Sequence, residues 1–360
     1  MSAGALPFDA AHAPRNACII RLSAIGDCCH TLPVVRTIQA AWPATQLTWI
    51  IGKIERSLFG GIAGIEFITF DKGKGFGAHA DLRRVLKGRN FDLLLHMHPS
   101  MRANIASLCV RAPVRLGLDR ARAKDWQWLF ANRRIPPRER RHVMDVWFEF
   151  AEALGLHTRV LRWDIPLPDE DRAYAAARID GARPALVISP CSNARFRNFR
   201  NWMPERYAAV ADYAAERHGM QVLLTGGRTP LETEYGERIV AGARHAPMNL
   251  VGKTTLKQLL ALIARATAVV CPDSGPAHMA TTVGTPVIGL YATTNRWRAG
   301  PYLSQEWVVD KYPEAVCKEL GRSVDEVPWG TRVRDPDAMS LIEVSDVTGR
   351  LDALMATHTP

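Results

Sequence analysis

The sequence predicts an α/β protein of two doubly wound domains that face one another across a cleft. The chain has 360 residues, which exceeds the ~250–300 residues at which a single hydrophobic core stops growing. In both halves, short apolar runs with strand character alternate with helical patterns, and this alternation indicates a mostly parallel sheet covered by helices. Between the two series lies a segment broken by prolines, residues 162–169, which is typical of a linker.

The predicted elements follow from these patterns. Strands are expected at 17–22, 47–51, 66–70, 91–96 and 114–118 in the first half, and at 185–189, 221–225, 268–271 and 286–291 in the second. Helices are expected at 31–41, 80–87, 142–154, 205–218, 231–243, 256–266 and 276–283. We therefore predict domains at 15–165 and 166–345, with a C-terminal helix at 346–360 that packs back on the first domain.

Composition narrows the classes of function. The formal net charge of +10 predicts an anionic partner, which a nucleic acid, a membrane surface or a phosphorylated substrate would satisfy. Arginines concentrate between Arg102 and Arg141, where they form either a solvated face or an anion-binding surface. The seven scattered cysteines favour a reducing, cytoplasmic setting. No apolar run approaches the ~18 residues of a spanning helix.

The first candidate site follows the first predicted strand, in Ser-Ala-Ile-Gly-Asp at 23–27. This loop lacks both the G-x-G-x-x-G pattern of dinucleotide-binding turns and the lysine of a P-loop. Gly26 allows a tight turn that presents Asp27 at the cleft edge, near a helix N-terminus. Two interpretations stay open: Asp27 acts on a substrate, or it only caps the helix.

The second candidate site follows the strand at 268–271. Backbone N–H groups of Ser274 and Gly275, with Pro276 in the first helical turn, predict a phosphate site at a helix N-terminus. Asp273 is placed to accept hydrogen bonds from sugar hydroxyls, and His278 is placed to reach the ligand. The alternative is a capping aspartate beside a core histidine.

Two further strand ends belong to the same predicted cleft. One carries Ser192 and leads into a basic stretch with Arg195, Arg197 and Arg200, whose cations would hold a diphosphate without metal. The other has a glycine turn at Gly226 followed by Glu232 and Glu234, one of which would hold a ribose. Gly-Lys-Thr-Thr at 252–255 is expected to be only the turn before the next helix.

Four segments together resemble glycosyltransferase family 9, the lipopolysaccharide heptosyltransferases. They are Ser-Ala-Ile-Gly-Asp-Cys-Cys-His-Thr-Leu-Pro at 23–33, Leu-Val-Gly-Lys-Thr-Thr-Leu at 250–256, Asp-Ser-Gly-Pro-Ala-His-Met-Ala at 273–280 and Gly-Leu-Tyr at 289–291. The resemblance implies a GT-B fold, whose first Rossmann-like domain binds the acceptor and whose second binds the nucleotide sugar. It also implies inverting transfer of heptose from ADP-heptose to a Kdo-lipid A type acceptor, without metal or cofactor.

The resemblance implies residue roles as well. Asp27 is the expected catalytic base, and Asp273, Ser274, Gly275 and His278 are expected to contact the donor. The loops at the other strand ends add Arg200, Ser192, Gly226 and Glu232 as expected donor contacts. The acceptor, an anionic lipid-linked saccharide, is expected to meet His30, Lys53, Arg56, Arg102 and Arg120.

The chain departs from the family pattern at three places: Arg200 stands where lysine is usual, Cys191 where glycine is common, and 292–298 differ from the usual Gly-Pro-Thr. The donor sugar therefore stays open, with another nucleotide sugar or acceptor as the alternative. An NAD-dependent oxidoreductase is a remote alternative. We expect a cytoplasmic protein, peripheral at the inner membrane, that does not bind nucleic acid.

Overall fold

The structure, a computed structural model, describes residues 6–192 and 199–357. Its contacts divide the chain into two compact units, Met1–Pro166 and Leu167–Pro360. The division falls one residue after the predicted end of the first domain. We call these the first unit and the second unit and describe each by itself.

Within the described residues, the first unit contains a six-stranded parallel sheet with the order β3-β2-β1-β4-β5-β6. Its strands are β1 (Asn16–Ile20), β2 (Gln46–Gly52), β3 (Ile65–Phe70), β4 (Leu93–His96), β5 (Val114–Gly117) and β6 (Arg133–Arg134). Its helices are α1 (Ile25–Ala41), α2 (Lys53–Phe59), α3 (Gly77–Val85), α4 (Met101–Ser107) and α5 (Val143–Ala153), with 3-10 turns at Lys72–Lys74 and Gln127–Leu129.

The second unit repeats this plan, with the described strands in the order β12-β11-β10-β7-β8-β9. Its strands are β7 (Ala185–Ile188), β8 (Gln221–Leu224), β9 (Met248–Asn249), β10 (Ala268–Pro272), β11 (Val287–Tyr291) and β12 (Val309–Asp310). Its helices are α6 (Asp169–Ala176), α7 (Pro204–His218), α8 (Pro230–Gly242), α9 (Leu256–Arg265), α10 (Gly275–Val283), α11 (Arg296–Ala299), α12 (Tyr312–Leu320) and α13 (Val344–Thr357). Its 3-10 turns are Gln305–Trp307, Val324–Glu326 and Ala338–Leu341.

Both sheets have the same doubly wound topology when the strands are counted within each unit. The order in which successive strands are added reverses beside the first strand of each sheet, between β1 and β4 and between β7 and β10. We call these places the first and second switch points. Ligands of doubly wound sheets bind at the carboxyl ends of the strands beside such points. The predicted α/β fold is thus confirmed, and its topology locates the loops where function is expected.

The central strands are apolar throughout because helices cover both faces of a parallel sheet. Every residue of β4, β7, β10 and β11 is buried. Each unit has its own apolar core: Ile20, Ile50 and Leu94 belong to the first, and Trp202 and Ile288 belong to the second.

Helix α1 begins at Ile25, six residues before the predicted start at 31, and contains Pro33 in its interior. Proline has no N–H, so it cannot donate the helical hydrogen bond to the carbonyl of Cys29. That carbonyl instead accepts a hydrogen bond from Nε1 of Trp163 at 2.7 Å. The predicted start was wrong because a distant side chain compensates for the proline.

The C-terminal helix α13 packs against α7 of the second unit. Its Val347, Leu351 and Leu354 lie in the apolar core of that unit, and Asp352 bonds Nε2 of His218 at 2.7 Å. The structure therefore assigns this helix to the second unit, in contrast to the predicted packing on the first domain. Residues 358–360 of the predicted helix lie outside the described residues.

Candidate functional site

At the first switch point, Arg21 and Asp27 form an ion pair in which the two side chains differ in exposure. The Arg21 side chain is 5% exposed and that of Asp27 34%. Nη1 of Arg21 donates to the carbonyl of Met97 at 2.6 Å, and its guanidinium carbon lies 4.6 Å from the centroid of a Trp147 ring. The carbonyl of Met97 and the Trp147 ring thus hold the guanidinium of Arg21 in the protein interior, and the carboxylate of Asp27 is the part of the pair that reaches solvent.

Asp27 also contributes to the start of its helix. It is the third residue of α1, and its Oδ2 accepts a hydrogen bond from the backbone N–H of Ala24 at 3.3 Å. A carboxylate in the first turn interacts favourably with the helix dipole. Asp27 therefore caps α1 and also exposes its carboxylate at the carboxyl end of β1. Its role as a base stays a prediction.

A cavity of about 310 Å³ lies at the carboxyl ends of the strands of the first unit. The loops after β1, β3, β4 and β5 contribute to its wall, which places it at the first switch point. Its polar lining comes from Ser23, Lys72, His98, Ser100, Arg102 and Asp125. Two exposed cations against one carboxylate make this lining suitable for an anionic group.

His98 fixes the wall of this cavity in its neutral form. Its Nδ1 accepts a hydrogen bond from the backbone N–H of Leu22 at 3.0 Å. Burial, and to a smaller extent the positive charge of Arg21, lowers the pKa of His98 to about 3. The imidazole is therefore uncharged at neutral pH and remains able to accept this bond, which ties the loop after β1 to the loop after β4.

Of the five residues predicted to bind the acceptor, Arg102 lines this cavity. Lys53 is exposed on α2, where its Nζ bonds Oδ2 of Asp71 at 3.2 Å. His30 is buried in α1, with its ring centroid 5.4 Å from that of His142.

The other two predicted acceptor residues have visible structural contacts. Nη1 of Arg56 donates to the carbonyl of Phe67 at 2.6 Å, which links α2 to β3. The guanidinium of Arg120 lies 4.7 Å from the centroid of a Trp128 ring. Acceptor binding by Lys53, His30, Arg56 and Arg120 remains a prediction.

The arginine-rich segment between Arg102 and Arg141 is in part structural, which corrects its interpretation as one anion-binding surface. Arg122 pairs with Asp119 and, at 2.6 Å, with Oε2 of the buried Glu149. Arg138 pairs with Glu152 at 2.7 Å. Arg115 donates to three backbone carbonyls. The carboxylates that pair with these arginines belong to Asp119 in a turn and to Glu149 and Glu152 in α5. Sequence patterns do not show that α5 packs against the arginine-rich segment.

At the second switch point, Arg200 and Asp273 connect the segment before α7 to the loop after β10. Nη1 of Arg200 donates to the carbonyl of Asp273 at 2.9 Å and to its Oδ2 at 2.8 Å. The two side chains are 13% and 12% exposed. The predicted donor residues Arg200 and Asp273 therefore lie together, with the cation fixed by two bonds to one residue.

The predicted helix N-terminus lies in this loop. Ser274 is the N-cap of α10, Gly275 is its first residue, and Pro276 follows. Oγ of Ser274 donates to the carbonyl of Pro272 at 3.0 Å. His278 is buried in the first turn. The local geometry agrees with the sequence prediction, and phosphate binding by it stays a prediction.

Ser192 and Gly226 lie in the loops after β7 and β8, and Glu232 lies in the first turn of α8. The N–H and Oγ of Ser192 are 2.8 and 3.0 Å from Oδ1 of Asn201. Oε1 of Glu232 accepts from the N–H of Gly227 at 2.6 Å, next to Gly226. Oε2 of Glu232 accepts from Oγ1 of Thr229 at 2.6 Å, as part of the cap of α8. Its contact with a ribose remains a prediction, and Arg195 and Arg197 lie outside the described residues.

Two cations of the second unit, Arg298 and Arg332, were not among the predicted site residues. Burial lowers the pKa of Arg332, and the positive charges of Arg200 and Arg298 lower it further. The backbone of Arg332 pairs with that of Thr294 in an isolated bridge. The signal available in the sequence was the pair of basic segments at 296–298 and 332–334. Arg21 was missed in the same way, as a charge at the end of an apolar strand.

Among the described residues, no group of three or more His, Cys, Asp or Glu side chains has the arrangement of a metal site. Within residues 6–192 and 199–357, no helix combines the length and the apolar content needed to cross a bilayer.

Comparisons with known proteins give a consistent result. The family model described as glycosyltransferase family 9 (heptosyltransferase) matches residues 79–327. A relative from Haemophilus influenzae, the lipopolysaccharide core heptosyltransferase OpsX, is 42% identical over 95% of this chain and 97% of its own length.

Solved structures with low sequence identity share the fold. A glycosyl transferase family 9 protein from Veillonella parvula is 21% identical with a TM-score of 0.79, over 98% of this chain and 99% of the other. E. coli heptosyltransferase WaaC with ADP-2-deoxy-2-fluoro heptose is 18% identical with a TM-score of 0.68, over 94% and 99%. These likenesses agree with a GT-B fold. The chain therefore belongs to glycosyltransferase family 9, the heptosyltransferase family.

Proposed function

We propose that the protein transfers heptose from ADP-heptose to a lipopolysaccharide inner-core acceptor of the Kdo-lipid A type, with inversion and without a metal or cofactor. The observation that carries this proposal is the similarity to OpsX over nearly the whole length of both chains. The similarity to E. coli WaaC, a heptosyltransferase solved with ADP-2-deoxy-2-fluoro heptose, supports an ADP-linked donor. Family membership leaves no support for the oxidoreductase alternative.

In the proposed mechanism Asp27 is the general base. Its carboxylate removes the proton of an acceptor hydroxyl while that oxygen attacks the anomeric carbon, and the bond from that carbon to the diphosphate breaks. One displacement inverts the configuration. The ion pair with Arg21 supports this role because it fixes the direction of a carboxylate that reaches solvent.

The second unit would bind the donor and stabilise the leaving ADP. Arg200 pairs with Asp273, and the charges of Arg200, Asp273 and Arg298 all act on Arg332. Charge-assisted hydrogen bonds from guanidinium groups, together with N–H groups at the start of α10, would meet the negative charge that develops on the diphosphate. Fixed cations at this place support a mechanism that does not require metal.

The first unit would bind the acceptor in the cavity at its switch point. Lys72 and Arg102 supply positive charge to a lining that also contains hydroxyl groups. This chemistry fits the carboxylate and hydroxyls of an acidic sugar. Such an acceptor is attached to lipid, so we place the enzyme on the cytoplasmic surface of the inner membrane.

A donor screen tests the proposal. Purified protein is incubated with a Kdo-lipid A type acceptor and with ADP-, UDP- or GDP-linked sugars, with and without a chelator. We expect transfer from ADP-heptose, inverted configuration in the product and an unchanged rate with chelator. Transfer from a UDP- or GDP-sugar alone would favour a different donor, which the unusual segment 292–298 keeps as the second candidate.

A further inference from the structure

A glycine-rich loop between β3 and α3 presents an aromatic side chain to solvent. It contains Lys72, Lys74 and Phe76, each followed by a glycine. Phe76 is 87% exposed, and Gly75 before it has a left-handed φ of 54°. A single exposed apolar residue is ordinary. Whether Phe76 belongs to a binding surface therefore depends on the residues around it.

A second exposed aromatic residue is Trp126, which is 63% exposed. Asp125 and Trp126 both have positive φ, 51° and 57°, which is uncommon for residues other than glycine. Oδ2 of Asp125 accepts from the N–H of Met101 at 2.9 Å, and its carbonyl accepts from Nδ2 of Asn104 at 2.7 Å. These bonds to α4 fix the backbone that carries Trp126.

Both aromatic residues belong to loops around one cavity. Lys72 and Asp125 line the cavity of the first switch point, and Phe76 and Trp126 follow them closely in the chain. A contact of 3.3 Å between Nε2 of His79 and the carbonyl of Arg102 ties the first turn of α3 to that of α4. We call Phe76 and Trp126 the aromatic rim.

Exposed cations accompany the aromatic rim. Lys72, Arg102 and Lys124 are exposed in the loops of the cavity or next to its lining. Lys74 is exposed as well and bonds Oδ2 of Asp81 at 2.7 Å. Aromatic side chains flanked by Lys and Arg are typical of protein surfaces that enter the interface of an anionic bilayer, where rings lie at the headgroup level and cations meet lipid phosphates.

A sugar-stacking platform is the competing explanation for exposed aromatic rings. Stacking on a saccharide needs a ring held in one orientation by its neighbours, and Phe76 is too exposed for such support. Insertion between lipid chains needs no fixed ring orientation. The glycines on both sides of Phe76 fit that use, since they leave the tip without bulky neighbours that would be buried with it.

We propose that the aromatic rim inserts into the interface of an anionic lipid bilayer and directs the mouth of the cavity towards the membrane surface. The lipid-linked nature of the acceptor rests on the proposed function. The affinity for lipid does not, because it follows from the rim and its cations alone.

Vesicle binding tests the insertion. Phosphatidylcholine vesicles with and without phosphatidylglycerol are sedimented with the protein and with Phe76→Ser and Trp126→Ser, at low and high salt. We expect binding to the anionic vesicles that weakens with salt, and a loss of roughly tenfold or more in each variant from the apolar burial of one side chain. Leu320→Ser is the matched control, because Leu320 is 41% exposed but lies at the end of α12 in the second unit, outside the loops of the cavity; its binding should equal wild type.

Two acceptors separate this proposal from the proposed function. With acceptor embedded in vesicles, the rim variants should lose transfer in parallel with binding, whereas with a short, water-soluble acceptor saccharide they should match wild type. Equal losses with both acceptors would make the rim a sugar platform and overturn the membrane proposal. Wild-type vesicle binding by both rim variants would also overturn it. If wild type transfers to neither acceptor, the proposed function fails, while vesicle binding still tests the rim.

Discussion

The two switch points have the same topology but treat an arginine–aspartate pair differently. In the first unit the arginine is buried and the aspartate is about one third exposed. In the second unit both partners are withdrawn to the same extent, and Asp273 holds Arg200 through its carboxylate and its carbonyl. The first arrangement presents an anion and the second fixes a cation.

This difference teaches that the sheet topology determines where a charged pair lies. The side-chain contacts of the arginine then determine which partner of the pair is exposed to a ligand. Arg21 is held by the carbonyl of Met97 and by Trp147, so Asp27 is left as the exposed partner. Arg200 shares its surroundings with Arg332, whose pKa its positive charge helps to lower. A base is expected at the first switch point, and an anion site at the second.

The largest expected effect comes from Asp27→Asn. An amide cannot take the proton, so turnover should fall by roughly 10²–10⁴-fold. Donor affinity should barely change, because the proposed donor residues lie in the second unit. The loss of the carboxylate beside the buried Arg21 should lower the free energy of unfolding by about 1–3 kcal/mol. Turnover is therefore measured below the melting transition and normalised to folded protein.

Asp346→Asn is the matched control for capping. Asp346 lies in the first turn of α13 and accepts from the N–H of Glu343 at 2.8 Å, as Asp27 does from Ala24. Asparagine caps a helix about as well as aspartate, so this control should keep wild-type turnover. Near-wild-type turnover in Asp27→Asn would reduce Asp27 to a cap, and His30 would be the next residue to test.

The next effect concerns the cation at the second switch point. Arg200→Ala and Asp273→Ala should each weaken ADP binding by roughly 10–100-fold, the worth of charged hydrogen bonds. Arg200→Lys should retain more affinity than Arg200→Ala because the charge remains. Calorimetry with ADP measures this, and Arg238→Ala, an exposed arginine paired with Glu205 and Glu234, is the control. Unchanged affinity in both alanine variants would move the anion site away from this pair.

The pH dependence of stability probes the first switch point. The pKa of His98 is lowered by burial from 6.5 to about 3, so the unfolded chain binds a proton between these values that the folded chain does not. The free energy of unfolding should therefore fall as the pH drops below about 6.5. His98→Asn can keep an acceptor for Leu22 without titrating, and chemical denaturation should show a shallower decline. Part of the decline should remain in this variant, because burial also lowers the pKa of His96 to about 3. If the variant and the wild type lose stability equally with falling pH, the lowered pKa of His98 is contradicted.

The smallest effect should come from Trp163→Phe, which removes the hydrogen bond to Cys29 in the helix that carries Asp27. We expect a loss of about 1 kcal/mol in the free energy of unfolding, with turnover nearly unchanged. Pro33→Ala restores an N–H for the same carbonyl, so Trp163→Phe should cost less in that background. If the losses in free energy of unfolding for the two substitutions simply add, the indole of Trp163 does not stabilise the helix through the carbonyl of Cys29.

The fold was predictable where the sequence pattern is long. The buried strands β1, β2, β10 and β11 lie within two residues of their predicted bounds, because a strand covered on both faces is a continuous apolar run. The edge strands β6, β9 and β12 have two residues each and leave no pattern. The short helices α2 and α4 escaped prediction for the same reason.

The candidate site was predictable as loops but not as contacts. Asp27 and Asp273 were placed at strand ends because the order of strand, glycine turn and helix can be read along the chain. Their surroundings come from residues far away in sequence: Arg21 bonds a carbonyl 76 residues later, and Arg200 bonds Asp273 at a separation of 73. Such pairs are set by the sheet order, which local patterns do not encode.

The separation of the two apolar cores has an evolutionary consequence. The junction between Pro166 and Leu167 follows an extended segment without helix or strand, and the described members of each core lie on one side of it. Recombination between related genes at this junction would exchange one half while leaving both cores whole. Under the proposed division of donor and acceptor binding between the two units, the two preferences would then diversify independently, by exchange of halves as well as by substitution within the loops.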